Sequence, residues 1–328
     1  MQQRNLGQLK HVSALGLGCM GMTDTTYGRP DPVEAKRTLY KALELGINFF
    51  DTADVYGLGD NEILLSELLA KHRDKIIIAS KCGILRDRAQ LSVRGVSGKP
   101  DYIKKACEAS LKRLKIECID LYYLHRMDPH TPIEESMQAM AELVAEGKIK
   151  HVGLSEASAG LIRRAHAVHP LTALQTEYSL WSRDVEAEIL PTCRELEIGF
   201  VPYSPLGRGF FSGKINDVND LAEDDFRKRL PRFQEENFQE NLNLVEELAA
   251  IAQQKECTPA QLALAWVLAQ GSDIVPIPGT KRVQYLLENV NACEIVLEAN
   301  DLAAIALALQ RFAPLGERNT PEALKGYL

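Results

Sequence analysis

Short apolar runs alternate with longer amphipathic stretches along most of the chain. The runs are too short for helices and are bounded by glycine or polar residues, so they predict strands. They are mostly apolar throughout, as expected for strands buried on both faces of a parallel sheet. Eight strands are predicted, each followed by a helix: residues 15–18, 47–50, 76–80, 119–124, 150–155, 171–177, 199–203 and 274–277. The pattern favours a single (β/α)8 barrel, with a doubly wound sheet as the second possibility.

Capping signals place the starts of several predicted helices. Asp31 precedes Pro32 and a helix that ends before Gly46, whereas Thr131 and Thr258 each begin an expected capping box. The other predicted helices cover residues 61–70, 101–114, 159–167, 185–196, 238–254, 283–290 and 299–312. The last of these are extra C-terminal helices.

Three further features complete the predicted architecture. Residues 1–15 suggest a small N-terminal β-hairpin before the barrel. Residues 204–237 are polar and lack periodicity, which predicts a long functional loop that closes over a bound cofactor. No linker divides the chain, so residues 1–328 are expected to form one domain.

Composition restricts the class of protein and its partners. The chain has 328 residues, of which 45% are hydrophobic and 25% charged, as in an ordinary globular protein. Its net charge of −7 argues against nucleic acid or an anionic membrane as the main partner. No signal peptide is expected from the first residues, and no apolar run approaches the about 20 residues needed to cross a bilayer. The seven cysteines are scattered, which favours a reduced, cytoplasmic protein.

Four ionisable residues stand at or just beyond the ends of predicted strands: Asp51, Tyr56, Lys81 and His125. Each alone has a simpler explanation, as a loop cap, a packing residue or a strand terminus. Together they would lie at one edge of the parallel sheet, where sites are built. A lysine favours the phenolate of a neighbouring tyrosine, a carboxylate keeps that lysine charged, and a neutral histidine can orient a carbonyl oxygen. This set suits carbonyl–alcohol interconversion, whose hydride requires a nicotinamide cofactor.

Two rival motifs carry less weight. Gly16, Gly18 and Gly21 spell the dinucleotide fingerprint, but its third glycine should open a helix directly, and here a loop intervenes. His125, Asp128 and His130 resemble a metal cluster without a helix to make them converge, so no metal is expected. A metal-dependent barrel hydrolase remains the corresponding alternative.

The chain resembles the aldo-keto reductases over essentially its full length. Within that family it is similar to the branch containing pyridoxal reductases and perakine-reductase-like enzymes. The motifs that carry the resemblance are residues 51–57 (Asp-Thr-Ala-Asp-Val-Tyr-Gly), Lys81, His125, residues 153–156 (Gly-Leu-Ser-Glu), Gln175, residues 203–207 (Tyr-Ser-Pro-Leu-Gly) and residues 277–282 (Ile-Pro-Gly-Thr-Lys-Arg).

The resemblance implies NADPH or NADP+ bound across the top of a barrel, with Tyr56 as proton donor. Lys81 and Asp51 would tune this tyrosine, and His125 would orient the carbonyl group. Tyr27 and Trp181 are expected in the substrate pocket. The implied cofactor-binding residues are Gly21, Met22, Ser155, Glu156, Gln175, Tyr203, Ser204, Pro205, Leu206, Gly207, Gly209, Ile277, Gly279, Thr280, Lys281, Arg282 and Asn289.

Within this set the resemblance assigns different parts of the cofactor. Ser155 and Gln175 would hold the nicotinamide carboxamide, residues 204–209 the pyrophosphate, and Lys281 with Arg282 the 2′-phosphate. Two residues depart from the family pattern. Glu156 replaces a common asparagine and can only accept hydrogen bonds when ionised. Tyr285 replaces an arginine that often covers the adenine.

The expected function is NADPH-dependent reduction of an aldehyde or ketone to an alcohol. The expected partner is a small carbonyl compound, and the oligomeric state stays open. A cofactor-sensing barrel with weak or no turnover is the alternative, because the catalytic residues can persist in a sensor.

Overall fold

The structure, a computed structural model, describes residues 1–23, 27–86, 94–223 and 225–320. Strands and helices alternate through most of these ranges. The strands are β1 (Gln3–Leu6), β2 (Leu9–Ser13), β3 (Leu17–Gly18), β4 (Phe49–Asp51), β5 (Ile77–Cys82), β6 (Ile84–Arg86), β7 (Arg94–Val96), β8 (Ile119–Leu124), β9 (Ile149–Ser155), β10 (Ala173–Glu177) and β11 (Gly199–Tyr203). The helices are α1 (Pro32–Glu44), α2 (Asp60–His72), α3 (Pro100–Leu114), α4 (Ile133–Ala145), α5 (Ala159–Val168), α6 (Ile189–Glu195), α7 (Glu235–Gln254), α8 (Pro259–Ala269), α9 (Val283–Asn291) and α10 (Ala299–Arg311).

Seven parallel strands form the barrel wall in the order β3, β4, β5, β8, β9, β10 and β11. Residues 273–279 close the wall between β11 and β3. The Val275 amide donates to Phe200 O at 2.9 Å, and the Gly16 amide donates to Pro276 O at 2.9 Å. We call residues 273–279 the closing stave of the barrel. Because Pro276 and Pro278 have no N–H, this segment pairs through isolated bridges and is not a continuous strand. The predicted α/β barrel is confirmed, and the predicted strand at 274–277 is present in this interrupted form.

The predicted N-terminal hairpin is confirmed. Strands β1 and β2 pair antiparallel, and Leu6, Leu9 and Val12 are buried together with residues of the barrel interior. Arg4 Nη1 donates to Gly271 O at 2.7 Å and to Ile274 O at 2.6 Å, and its Nη2 donates to Leu268 O at 3.0 Å. The hairpin is therefore bonded directly to the end of α8 and to the closing stave.

Two apolar cores flank the barrel wall. The larger lies between the strands and the surrounding helices, and the smaller fills the interior with side chains that include Phe49, Leu121, Tyr123 and Val201. The strands are buried on both faces for this reason, as their unbroken apolar sequences predicted.

Most predicted helices are present, and their capping partly follows the prediction. Asp31 caps α1 and Thr258 forms a capping box at α8. The box predicted at Thr131 is wrong, since Thr131 Oγ1 donates to Asp128 Oδ2 at 2.8 Å and α4 begins without a side-chain cap. The predicted helix 185–196 is divided into a 3₁₀ turn, Asp184–Glu186, and the shorter α6.

Two regions add detail that periodicity did not show. Strands β6 and β7 form an antiparallel hairpin after β5, although no element was predicted there. Residues 204–237 form a series of 3₁₀ turns before α7 begins at Glu235, three residues earlier than predicted. Phe210, Phe211 and Phe233 in this segment are buried. The segment is therefore packed on the barrel, and its closure over a cofactor stays a prediction.

No helix in the described parts of the chain is long and apolar enough to cross a bilayer.

A glycine in β9 tests the packing of the barrel interior. A Cβ at Gly153 would lie 2.4 Å from the ring of Tyr123 and 2.9 Å from Ala173 O, whereas a Cβ at Gly160 in α5 meets nothing within 4 Å. We expect Gly153→Ala to lower the free energy of unfolding by about 1–3 kcal/mol, because overpacking forces neighbours apart. The matched control Gly160→Ala should be neutral or slightly stabilising. Equal denaturation midpoints for the two variants would contradict the packing described.

Candidate active site

A buried ion pair forms the centre of the site. Lys81 from β5 and Asp51 from β4 are bonded directly, and their side chains are 0% and 3% exposed. Lys81 Nζ also donates to Thr52 O at 2.8 Å, and Gln175 Nε2 donates to Asp51 Oδ2 at 2.8 Å. Burial raises the pKa of Asp51 against the opposing effect of Lys81. Burial alone would lower the pKa of Lys81, but Asp51 and Tyr56 together outweigh it and hold that pKa above its ordinary value.

The phenol of Tyr56 is bonded to this pair through Lys81. Lys81 Nζ lies 3.3 Å from Tyr56 Oη and 4.9 Å from the centre of its ring. Burial raises the pKa of Tyr56, and Lys81 only partly opposes that rise. The phenol is therefore protonated and hydrogen-bonded to a cation, which is the state a proton donor needs. The predicted lowering by Lys81 is present, but burial has the larger effect.

His125 lies at the end of β8 with its ring edge-on to Tyr56, the ring centroids being 5.8 Å apart. Burial, Arg126 and Lys81 hold the pKa of His125 well below its usual value, so the imidazole is neutral as predicted. Its Nδ1 atom is buried and makes no hydrogen bond within the described residues. A neutral imidazole beside a proton donor suits a bound carbonyl compound.

Arg126 joins this group, although the sequence prediction did not include it. Its Nη1 donates to His125 O at 2.6 Å and to Ser155 Oγ at 3.2 Å. The one feature of the sequence that could have indicated Arg126 as a site residue is its position directly after a candidate histidine at a strand end. The structure thus brings together Asp51, Tyr56, Lys81 and His125 as predicted, with Arg126 and Gln175 beside them.

A second group of ion pairs lies at the ends of β9 and β10. Arg318 donates to both carboxylate oxygens of Glu156, at 3.0 and 2.7 Å, and Arg208 lies 3.0 Å from Glu177. Burial would raise the pKa of Glu156, but Arg318, Arg126 and the Glu177 amide together outweigh it and hold that pKa low. Glu156 is therefore bonded to the C-terminal segment 162 residues away, a partner that local sequence patterns cannot show.

The predicted nicotinamide and pyrophosphate residues lie along one side of the barrel mouth. Ser155 and Gln175 are buried at the ends of β9 and β10, and Tyr203 ends β11. Gly207, Arg208 and Gly209 follow with left-handed backbone conformations. The other residues predicted for this part of the cofactor are Glu156, Ser204, Pro205 and Leu206. Gly21 and Met22, predicted cofactor residues without an assigned part, lie in the turn that follows β3. Their contacts with a cofactor stay predictions.

The residues predicted for the adenosine 2′-phosphate lie at the closing stave. Lys281 Nζ donates to Tyr27 O at 2.9 Å and to Gly28 O at 2.7 Å, while Arg282 begins α9. Burial lowers the pKa of Lys281, and nearby Arg282 and Arg227 lower it further. A gathering of cations of this kind favours an anion. Ile277, Gly279, Thr280 and Asn289 lie on the same stave and helix.

The two predicted pocket residues differ in their surroundings. Tyr27 is partly exposed, and the Arg227 guanidinium lies 5.3 Å from its ring centre. Trp181 is 4% exposed and stacks on Phe210 with ring centroids 4.6 Å apart. The structure gives Trp181 a packing role beneath residues 204–237, and the pocket role of both residues stays a prediction.

Within the described ranges no group of three or more His, Cys, Asp or Glu residues has a geometry that could hold a metal ion.

Comparison with known proteins decides the family. The model of the "Aldo/keto reductase family" matches residues 14–309. The chain belongs to this family. "Probable aldo-keto reductase 1" of Glycine max is 49% identical over 307 residues, which cover 93% of this chain and 87% of that protein.

Solved structures of the family share the fold. The glycerol dehydrogenase of Gluconobacter oxydans matches with a TM-score of 0.88 and 30% identity, over 97% of each chain. The holo form of an aldo-keto reductase from Bacillus halodurans matches with a TM-score of 0.77 and 29% identity, over 94% of this chain and 96% of that one. The predicted class, an NADP-dependent aldo-keto reductase, is therefore confirmed at the level of the family.

The ion pair at the centre of the site can be tested by a double-mutant cycle. Removing one partner leaves a buried charge uncompensated, so Asp51→Asn and Lys81→Met should each cost about 3–5 kcal/mol of unfolding free energy. The double variant should cost clearly less than the sum of the two. The exposed pair Lys36 and Glu67, with side chains 48% and 55% exposed, is the control and should show single effects much smaller than those at the buried pair. Additive losses at Asp51 and Lys81 would contradict a direct pair.

Proposed function

We propose that this protein reduces an aldehyde or ketone to an alcohol with NADPH, and that Tyr56 is the general acid. The observation that carries the proposal is the contact of the Tyr56 hydroxyl with Lys81, whose ammonium is fixed by Asp51 and Thr52 O. This arrangement stabilises the phenolate that forms when Tyr56 gives up its proton. The fixed charges are already in place before reaction, so no rearrangement is needed at the transition state.

The substrate oxygen would accept a proton from Tyr56 Oη and a hydrogen bond from the neutral ring of His125. The neutral state of His125 and its edge-on contact with Tyr56 support this placement. In this mechanism Lys81 stays protonated and stabilises the developing phenolate. Asp51 keeps the ammonium in position, and Gln175 holds the second carboxylate oxygen.

The residues present fit an NADPH cofactor. Lys281 and Arg282 bring two cations to the side of the barrel mouth where a phosphate is predicted, and Arg227 lies nearby in an ion pair with Asp225. A Cβ at Gly21 would meet nothing within 4 Å, so this edge of the mouth is open. When bound, the cofactor supplies the hydride that no side chain can supply. Lys281 would exchange its bonds to Tyr27 O and Gly28 O for the 2′-phosphate.

Replacing Tyr56 by phenylalanine tests the mechanism. General acid catalysis contributes roughly 10²–10⁴-fold, so kcat of Tyr56→Phe for NADPH-dependent aldehyde reduction should fall by at least about 100-fold. NADPH affinity should change little, because the proposed proton transfer does not involve cofactor binding. Tyr40→Phe is the matched control, since the Tyr40 hydroxyl lies on α1 and makes no hydrogen bond within the described residues. A Tyr56→Phe enzyme that kept most of its turnover would refute the proposed role.

Cofactor choice is tested at Lys281 and Arg282. NADPH carries a 2′-phosphate that NADH lacks, and a charge-assisted hydrogen bond contributes about 1.5–3 kcal/mol. We expect the unmodified protein to bind NADPH roughly 100-fold more tightly than NADH, less so at high salt. The double variant Lys281→Ala, Arg282→Ala should lose most of this preference in a fluorescence titration. The exposed pair Lys36→Ala, Arg37→Ala makes the same change of charge on α1 and should keep it. Equal affinities of the unmodified protein for the two nucleotides would rule out the assignment.

A further inference from the structure

Glu156 lies beside the residues that are predicted to hold the nicotinamide. It directly follows Ser155, and its backbone amide donates to Gln175 O at 3.0 Å. Its side chain reaches the end of the next strand, where Oε1 accepts from the Glu177 amide at 3.0 Å. The backbone of β9 and β10 thus fixes the position of this carboxylate.

A negative charge at this place would act differently on the two states of the cofactor. The nicotinamide ring of NADP+ carries a positive charge, whereas the ring of NADPH is neutral. A carboxylate that is shielded from water therefore attracts the oxidised ring more strongly than the reduced one. An uncompensated charge on Glu156 would favour binding of NADP+, which is the product form of the cofactor in the proposed reduction.

Arg318 compensates the charge of Glu156 directly. Its Nη1 and Nη2 donate to the two carboxylate oxygens at 3.0 and 2.7 Å, which is the bidentate geometry of a strong pair. The side chains of Arg318 and Glu156 are 13% and 2% exposed, so solvent and salt screen their charges little. The neighbouring carboxylate of Glu177 has its own cation in Arg208, 3.0 Å away.

Both members of this pair are ionised. Burial would raise the pKa of Glu156, but Arg318, Arg126 and a backbone amide together hold it low. Burial would lower the pKa of Arg318, but Glu156 and neighbouring groups that include Tyr203 raise it. Glu156 therefore brings a full negative charge to the end of β9, and Arg318 brings the positive charge that balances it.

We propose that Arg318 sets the preference of the protein between NADPH and NADP+ by neutralising Glu156 beside the nicotinamide. This inference rests on the proposed binding of NADPH at Ser155 and Gln175. With the pair intact, the carboxylate adds little to the affinity for the oxidised ring, so NADP+ is released after hydride transfer. The pair thus makes a buried glutamate at this position compatible with reduction, in addition to fixing the C-terminal segment.

A cycle of four proteins tests the inference by nucleotide binding alone. The dissociation constants of NADPH and NADP+ are measured at pH 8 and low salt for the unmodified protein, Arg318→Met, Glu156→Gln and the double variant. In Arg318→Met the ratio Kd(NADP+)/Kd(NADPH) should fall by at least about 10-fold, which corresponds to about 1.4 kcal/mol, because the carboxylate is left unpaired. In Glu156→Gln the ratio should rise, since the remaining guanidinium repels the oxidised ring. In the double variant it should return close to its original value.

An exposed pair of the same kind provides the matched control. Arg164 on α5 donates to both carboxylate oxygens of Glu134 on α4, each at 2.8 Å. Their side chains are 55% and 44% exposed, and Arg164→Met and Glu134→Gln should leave the ratio unchanged. If Arg318→Met does not fold, the rise expected in Glu156→Gln decides the question, because glutamine keeps the shape of the glutamate side chain.

The outcomes separate this inference from the proposed function. If both nucleotides weaken by one common factor in the single variants, the pair only anchors the C-terminal segment, and the inference is overturned while the proposed reductase function stands. The same holds if the double variant keeps the shift of either single variant. If the folded, unmodified protein binds neither nucleotide, the proposed cofactor is wrong and the inference fails with it.

Discussion

The bond between Asp51 and Lys81 is the constraint on which the rest of the site depends. An ammonium group that is fully buried costs several kcal/mol unless a carboxylate and further acceptors surround it. Parallel pairing of β4 with β5 sets Asp51 beside Ala79, and Lys81 follows two residues later on the same face. Gln175 from β10 completes the group from across the interior. The reactive phenol of Tyr56 is thus held by a charge pair that only the assembled barrel can provide.

A second group of charges lies at the ends of β9 and β10 and bonds this part of the barrel to the C-terminal segment. Glu156 and Glu177 at the ends of β9 and β10 are bonded to Arg318 and Arg208. Asn241 on α7 holds the same C-terminal segment through both the amide and the carbonyl group of Leu315. Glu156 is consequently a structural anchor for the C-terminal segment. This bond to Arg318 gives a structural role to Glu156, at a position where many family members have asparagine.

The sequence predicted the barrel and the central site well, because both depend on local signals. An apolar run that ends at Asp51, Lys81 or His125 shows where a strand stops, and parallel strands carry such residues to one edge. The contacts of Arg126, Arg318 and Lys281 were not predictable, since each joins segments whose separation only the folded chain defines. Thr131 shows a related limit. Its hydroxyl could cap α4 or bond to Asp128, and the turn that contains Asp128 decides between them.

Arg4 determines what the first residues of the chain contribute. Its three bonds to the carbonyl groups of Leu268, Gly271 and Ile274 satisfy the end of α8 and the beginning of the stave that closes the barrel. These carbonyl groups belong to a region where Pro276 and Pro278 leave the wall short of backbone hydrogen bonds. The N-terminal hairpin therefore stabilises the part of the barrel wall that has few backbone hydrogen bonds of its own. A shortened N-terminus would loosen the stave that leads to Lys281, the residue proposed to meet the 2′-phosphate, so the two ends of the chain would be coupled in nucleotide binding if that proposal holds.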